Sequence, residues 1–440
     1  MTTTTPQHLE PGAVREVLSR HLLTDGFDFV LDLTHSRGSE LVDQRNGQRY
    51  LDMFTFFASS ALGMNHPSLA EDAEFGAELT EAAINKPSNS DIYSVPMAEF
   101  VDTFARVLGD PELPHLFFVE GGGLAVENAL KVAFDWKSRR NQATGKSPDL
   151  GTRIMHLTGA FHGRTGYTMS LTNTDPNKVA RFPKFDWPRI EAPYVSEHHD
   201  VEALERTALE QALTHFENEG DDIAAFICEP IQGEGGDRHL RPEFLAAMKQ
   251  LCIEHDALLI FDEVQTGCGL TGAAWAYQKL GVQPDVVSFG KKLQVCGIMA
   301  GGRVDEVADN VFEVPSRINS TWGGNLTDMV RSRRILQVIE AEQLIDNAEA
   351  RGAELLQQLQ ELASRHESVS DPRGLGLMCA VTLPSAQLRD QVVEHLRSDE
   401  HVFMLGCGES SIRFRPALTV SAEDITRAVQ ALDRVLTALT

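Results

Sequence analysis

Cysteine is sparse in this 440-residue chain, and basic charge falls well short of acidic. The six cysteines (Cys228, Cys252, Cys268, Cys296, Cys379 and Cys407) are widely spaced, with no CxxC pair and no histidine cluster at zinc-ligand spacing. That argues against a disulfide-framed secreted domain and a zinc module, and predicts reduced thiols in a cytoplasmic protein. Lys and Arg number 39 against 64 Asp and Glu, a formal charge of −25. Neutralising nucleic-acid phosphates needs clustered cations, so no nucleic-acid partner is expected. The acid excess has two readings, solubility or a salt-rich cytoplasm. No uncharged run of about 18 apolar residues occurs, and the start, MTTTTPQHLEPG, lacks a basic stretch leading into an apolar one. Neither a membrane span nor an export signal is therefore expected. His198-His199-Asp200 reads as an exposed polar turn and no metal site is assigned; the N-x-T sequons at Asn319 and Asn325 read as chance matches.

What is present is an ordinary globular composition, 42% hydrophobic and 23% charged, with ample core. The length suits two or three domains, or one large α/β domain with a smaller companion. From about His115 the apolar runs HLFFVE, TRIMHL, IAAFICE, ALLIFDE and PDVVSF alternate with helical patterns. Continuous apolar runs separated by helices imply parallel strands buried on both faces. Phe244, Leu245, Met248, Leu251 and Cys252 mark one covering helix by their three-to-four spacing. Near the N-terminus, ELVDQRNGQRYLDMF reads as a hairpin turning at Asn46-Gly47. After Gly324 the pattern predicts one long helix from about Leu326 to Leu362, strands near 376–382 and 412–414, and a last helix. Ser421 is its expected N-cap, and Ile425, Val429, Leu432, Leu436 and Leu439 form its apolar stripe. The two chain ends are expected to fold together beside the central α/β part.

Ligands of open parallel sheets gather beyond the C-terminal strand ends, and five loops there are unusual. The first is Glu120-Gly121-Gly122-Gly123 ahead of a helix, suited to phosphate through free N–H groups, or serving only as a connection. No GxxxxGK[ST] and no post-strand GxGxxG is present, which disfavours the common nucleotide loops. The second, Gly159 to Arg164, offers an aromatic, an imidazole and a guanidinium that could stack on a planar ligand and clamp a carboxylate; alternatively Phe161 only packs inward. The third, Glu229-Pro230 and the GEGG run, reads as a mobile connection. The fourth ends in Asp262-Glu263-Val264-Gln265, an acid that needs a cation or donor as partner, or that caps the next turn. The fifth ends in Lys291-Lys292, where a desolvated lysine could become a nucleophilic amine. Phosphate loop, aromatic platform, strand-end acid and strand-end lysine are together the parts of a pyridoxal phosphate site.

These runs closely resemble the class III (subgroup II) aminotransferases of the fold-type I pyridoxal phosphate superfamily. The resemblance covers nearly the whole chain: YLDMF, ALGMNHP, GGGLAVENALK, FHGRT, CEPIQGEGG, FDEVQTGCGLTG, SFGKK, STWGGN and SIRFRP. It implies a large domain with a mostly parallel central sheet plus a smaller α+β domain built from both chain ends. Its boundaries are residues 1–65 and 326–440 for the small domain and 66–325 for the large one. It also implies roles residue by residue. Lys291, rather than Lys292, would hold the cofactor as a Schiff base; Asp262 would pair with its ring nitrogen, and Gln265 would bond its ring hydroxyl. Phe161 would stack on the ring with Val264 behind it. Gly122 and Gly123 would bind the phosphate, joined by Thr321 from the partner subunit of a homodimer. Two departures from the general pattern stand out: Gly122-Gly123 replaces a Ser/Thr hydroxyl, and the run from Gly267 to Gly272 lacks an arginine.

Within the family, FGKKLQVCG, DEVQTGCGLTG and MFTFFASSALGMNHP are most similar to the branch that takes the ε-amino group of L-lysine. That resemblance implies a ping-pong transfer to 2-oxoglutarate, giving L-glutamate and 2-amino-6-oxohexanoate, which cyclises to piperideine-6-carboxylate. Arg164 would meet the distal carboxylate of both substrates and Arg413 the carboxylate beside the keto group. Glu234 would cover Arg413 while lysine reacts and swing away for 2-oxoglutarate. The alternatives are another ω-aminotransferase using ornithine, 4-aminobutyrate or diaminobutyrate, an aminomutase or decarboxylase on the same fold, and a non-catalytic binding protein.

Overall fold

The structure is a computed structural model describing residues 9–439; the threonine run near the start lies outside them. At the N-terminal end, β1 (Glu40–Val42) and β2 (Arg49–Asp52) pair antiparallel. Their turn is longer than the two residues predicted. The Asp43 carboxylate accepts from the Arg45 N–H and guanidinium, and the Asp43 N–H donates to the Gln48 carbonyl at 2.9 Å. That leaves residues 44–47 as the loop, with Gly47, at φ 75°, as the residue that needs left-handed backbone.

The apolar runs form one sheet. Its members are β3 (His115–Val119), β4 (Arg153–Leu157), β5 (Arg189–Ile190) and β6 (Ile223–Cys228). After a short hairpin of β7 (Ile231–Gln232) and β8 (Arg238–His239), it continues with β9 (Leu258–Asp262), β10 (Val286–Phe289) and β11 (Cys296–Ala300). The order is β3-β11-β10-β9-β6-β4-β5, and among the described strands of this sheet only the two pairings of β11 are antiparallel. Alternate side chains divide between two cores. Ala225, Ile227, Leu258 and Ile260 pack with Val126, Ala129 and Trp136 of the helix Gly122–Ala143, whereas Phe226, Leu259 and Phe261 pack with Phe244, Leu245 and Met248 of the helix Pro242–Glu254. Burial on both faces is why these strands read as unbroken apolar runs.

The predicted helix from Leu326 to Leu362 is two helices, Leu326–Ala341 and Leu344–Arg365, divided where Gln343 takes left-handed backbone at φ 52°. The break lets each half bury its stripe against different partners. The first packs on the helices Ala73–Asn85 and Val95–Val107, the second on the last helix and on β12 (Ser370–Leu375). β13 (Met378–Thr382) follows; then β14 (Val402–Phe403) leaves to pair in parallel with β2, so both chain ends share one small sheet. β15 (Leu405–Cys407) and β16 (Ser411–Phe414) complete an antiparallel sheet in the order β12-β13-β16-β15. The last helix, Ala422–Leu439, has a reciprocal cap between Ser421 and Asp424 and buries Ile425, Val429, Leu432 and Leu436. Among the described residues, no helix is long and apolar enough to cross a membrane.

Candidate active site

The C-terminal ends of β4, β6, β9 and β10 converge on a cavity of about 240 Å³. Gly122, Gly123, Phe161, Asp262, Val264, Gln265 and Lys291 line it together with His162, Glu229 and Thr266. On one side the helix Gly122–Ala143 begins, with Gly121 at φ 95° and no side-chain cap, so its first amides are left for a ligand. The two glycines match their surroundings. A Cβ on Gly122 would stand 3.0 Å from Val264 Cγ1, and one on Gly123 would stand 3.3 Å from Thr165 Cγ2. A side chain at either position would therefore crowd Val264 or Thr165.

Opposite, Asp262 is fixed from three directions. His162 Nδ1 lies 2.8 Å from Oδ2, the Val264 N–H donates to Oδ1 at 3.1 Å, and Ser288 Oγ donates there at 3.3 Å. Behind it, Glu229 accepts from the Phe161 and Gly233 N–H groups at 2.9 and 3.1 Å, and burial pushes its carboxyl up to about 7. Lys291 follows β10 with φ 49°, a strained conformation for a residue with a side chain. Burial, aided by the Arg413 and Arg415 cations, lowers its amine to about 8. Lys292 points elsewhere: it is buried, and its Nζ donates to the Ala58 carbonyl at 2.9 Å.

That carbonyl ends an uncommon element. Thr55, Phe56, Phe57 and Ala58 all have positive φ, from 42° to 66°. Left-handed turns cost about 1–2 kcal/mol per residue without glycine, and several bonds offset this. Asp52 accepts from the Phe54 and Thr55 N–H groups at 3.0 and 2.7 Å, and Thr55 Oγ1 donates to the Arg415 carbonyl at 2.6 Å. The turn carries Phe56 and Phe57 into an outer, more open cavity of about 970 Å³ that Lys178 and Glu234 also line.

Between the two cavities, Glu234 joins Arg413 at 2.8 Å and Lys178 at 3.2 Å, while Lys178 Nζ lies 5.3 Å above the Phe161 ring. Burial raises the Glu234 carboxyl, but Arg413 and Lys178 outweigh it and hold it down at about 2. Arg413 is buried, and its Nε and Nη1 have no partner among the described residues. Two predicted site residues are not brought in. Arg164 is exposed, its side chain makes no ion pair or hydrogen bond among the described residues, and it does not line the cavity. Thr321 is exposed, with its carbonyl accepting from the Ser88 and Ser90 hydroxyls. Sequence reasoning gave no role to Glu229, Lys178 or Arg415, and offered the His162 imidazole only as a group that could meet a ligand, not as the partner of Asp262. Arg415 had a signal, since it stands two residues after Arg413 and strand alternation puts both on one face; Lys178, on a four-residue helix, had none.

Residues 25–436 match the family described as Aminotransferase class-III. The chain belongs to that family. As a class-III aminotransferase it is 65% identical, over 98% of its length and 96% of the relative's, to the L-lysine-epsilon aminotransferase of Mycobacterium tuberculosis. It is 56% identical to that of Streptomyces clavuligerus, over 97% and 94% of the two chains. The solved lysine aminotransferase from M. tuberculosis superposes with a TM-score of 0.97 at 65% identity, covering 98% of this chain and all of the other. The cofactor of this aminotransferase is pyridoxal phosphate, and the cavity fits it. Uncapped helix amides suit a phosphate, a carboxylate held from three directions suits a ring nitrogen, and a cavity-lining amine of lowered basicity suits an aldehyde.

Proposed function

We propose that this aminotransferase moves the ε-amino group of L-lysine to 2-oxoglutarate, producing 2-amino-6-oxohexanoate and L-glutamate in two alternating half-reactions. The observation that carries this reading is the Arg413–Glu234 pair. A pocket serving a dicarboxylate needs a cation beside the reacting carbon, whereas a substrate presenting an ammonium there needs that cation covered. Glu234 covers it, and Lys178 offers a second resting partner when Glu234 turns away. The names of the relatives at 65% and 56% identity support the same donor.

Bound in the inner cavity, pyridoxal phosphate supplies the electrophilic carbon and the electron sink. The chain's residues do the rest. Gly122 and Gly123 amides hold the phosphate. Asp262, steadied by His162, would keep the ring nitrogen protonated, and Phe161 and Val264 would hold the two ring faces. Lys291 is the amine that would hold the cofactor's aldehyde carbon, and as a free amine it would take the proton from Cε of lysine. Its lowered basicity suits it for that work near neutral pH. Arg164, exposed on the loop after β4, would have to turn toward the cavity to meet the distal carboxylate of either substrate.

The proposed assembly is a homodimer in which Thr321 of one subunit completes the phosphate site of the other. The exposure of Thr321, Ile92, Tyr93, Val95 and Trp322 supports it. The test of the substrate is a panel of lysine, ornithine, 4-aminobutyrate and diaminobutyrate, each with 2-oxoglutarate. Glutamate formation and trapping of the cyclised aldehyde by an aminobenzaldehyde should be greatest with lysine; a clear preference for ornithine overturns the donor while leaving the family intact. Sedimentation should give a dimer.

A further inference from the structure

The Gln265 carboxamide stands between the cavity and a buried ion pair. Arg415 and Asp237 are both almost solvent-free, and they join through two hydrogen bonds, from Nη1 to Oδ2 at 2.9 Å and from Nη2 to Oδ1. Arg415 Nη1 also donates to the Phe414 carbonyl at 2.8 Å. With both Nη groups committed, the Nε–H has one remaining direction, and Gln265 Oε1 lies there at 2.9 Å. A guanidinium accepts nothing. Only the amide oxygen can face it, because turning the carboxamide over would set N–H against N–H. Gly233 closes the space on another side: a Cβ there would fall 2.5 Å from Gln265 Oε1.

We propose that Arg415 is a positioning residue that fixes Gln265 as a pure hydrogen-bond donor toward the cavity, so that a ring oxygen held there is stabilised in its ionised form. The inference rests on Gln265 facing the cofactor's ring hydroxyl. An amide N–H stabilises a phenolate, whereas an amide oxygen in the same place would repel it or demand a proton. The ion pair would thus set the electronic state of a cofactor it never touches. Asp237 shares the role by holding the guanidinium plane.

The test reads the visible absorption of the holoenzyme against pH. Deprotonation of the bound cofactor makes the ring oxygen a stronger acceptor, so losing a donor there raises the midpoint of the spectral change. Gln265→Ala should raise it by about one pH unit, the scale of one hydrogen bond. Arg415→Met combined with Asp237→Asn conserves net charge and leaves no unpaired carboxylate; it should raise the midpoint similarly, and Arg415→Lys, which keeps a donor and the charge, should recover part of it. In the Gln265→Ala background the combined change should add nothing. Lys291, Asp262, Glu229 and Arg413 are unchanged throughout.

If Gln265→Ala leaves the midpoint in place, the reading of Gln265 itself fails. A shift in Gln265→Ala without one in the Arg415/Asp237 variant overturns the inference. So does a shift that persists in the Gln265→Ala background, since Arg415 would then act through charge. Should the buried pair prove necessary for folding, Arg415→Lys is read alone, where a parental midpoint beside a shift in Gln265→Ala overturns the inference, and the amide donor itself is checked by Gln265→Glu. Its carboxylate keeps Arg415 satisfied but presents no N–H, so the midpoint should rise at least as far as in Gln265→Ala, and a parental midpoint overturns the proposal.

Discussion

The inner and outer halves of the active site are built on opposite plans. Around the ring side, the carboxylates and the amide oxygen are engaged: Asp262 from three directions, Glu229 by two amides, Gln265 by Arg415; only the far ring nitrogen of His162 lacks a partner among these groups. On the outer side, Arg413 keeps Nε and Nη1 unpartnered among the described residues, and Glu234 divides itself between two cations. Satisfied networks are rigid, and partly satisfied ones can exchange partners. The inner half serves one cofactor, so a rigid frame suits it; in the proposed reaction the outer half receives two substrates of different charge. Two adjacent pairs make the point within a few residues. Lys291 faces the cavity while Lys292 holds the turn at Ala58, and Arg413 pairs with Glu234 while Arg415 holds Gln265.

The largest effect should come from the inner half. Lys291→Ala should lose the visible band of the bound cofactor and about a thousandfold or more in turnover, while Lys292→Ala keeps the band. The reverse result would exchange the two lysines and break the comparison at its centre. Asp262→Asn should cost about a hundredfold in both half-reactions, measured by single-turnover absorption, because it weakens the electron sink that both use. An outer-half change should be asymmetric instead. Glu234→Ala should slow the lysine half-reaction about tenfold more than the 2-oxoglutarate half-reaction, since only the former leaves Arg413 uncovered beside an ammonium. Equal losses would mean that Glu234 is scaffold, and the outer half as fixed as the inner.

Chemistry at strand ends was legible in the sequence because each group follows an apolar run and keeps its register. Asp262, the pair Lys291-Lys292 and Gly122-Gly123 needed only that logic, whereas choosing Lys291 over Lys292 and singling out Arg413 needed the family resemblance. Partners supplied from far along the chain were not legible. Asp237 meets Arg415 across 178 residues, and Lys292 meets Ala58 across 234, so no local pattern announces either. The left-handed turn at Thr55–Ala58 was hidden for another reason: it has no glycine, and only tertiary hydrogen bonds make its backbone tolerable. The break at Gln343 was missed because both helical halves carry apolar residues at helical spacing, and their stripes face different partners.

A smaller effect separates the two lysines by pH. With the amine of Lys291 lowered to about 8, roughly a tenth is neutral at pH 7, so capture of added pyridoxal phosphate by the cofactor-free enzyme should quicken as pH rises through 8 and then level off. Arg413→Met removes one contributor but not the burial, which is the larger, so the midpoint should rise only partway toward the ordinary lysine value.

Lys292 should show itself in stability instead. Burial among the Arg415 and Lys291 cations holds its amine well below the ordinary 10.5, so the folded chain refuses a proton that the unfolded chain accepts. Stability then rises with pH wherever the unfolded state binds more protons. Going down from about 10.5, the penalty grows until the pH reaches the folded value, by at most about 1.4 kcal/mol per unit. Lys292→Met loses the bond to Ala58 but is free of that penalty. Its urea midpoint should lie furthest below the parent near pH 10 and draw closer toward pH 7, with the cofactor band retained throughout. A gap that stays constant over that range would mean that Lys292 carries its charge inside the fold, and the contrast between the two lysines would then be one of position alone.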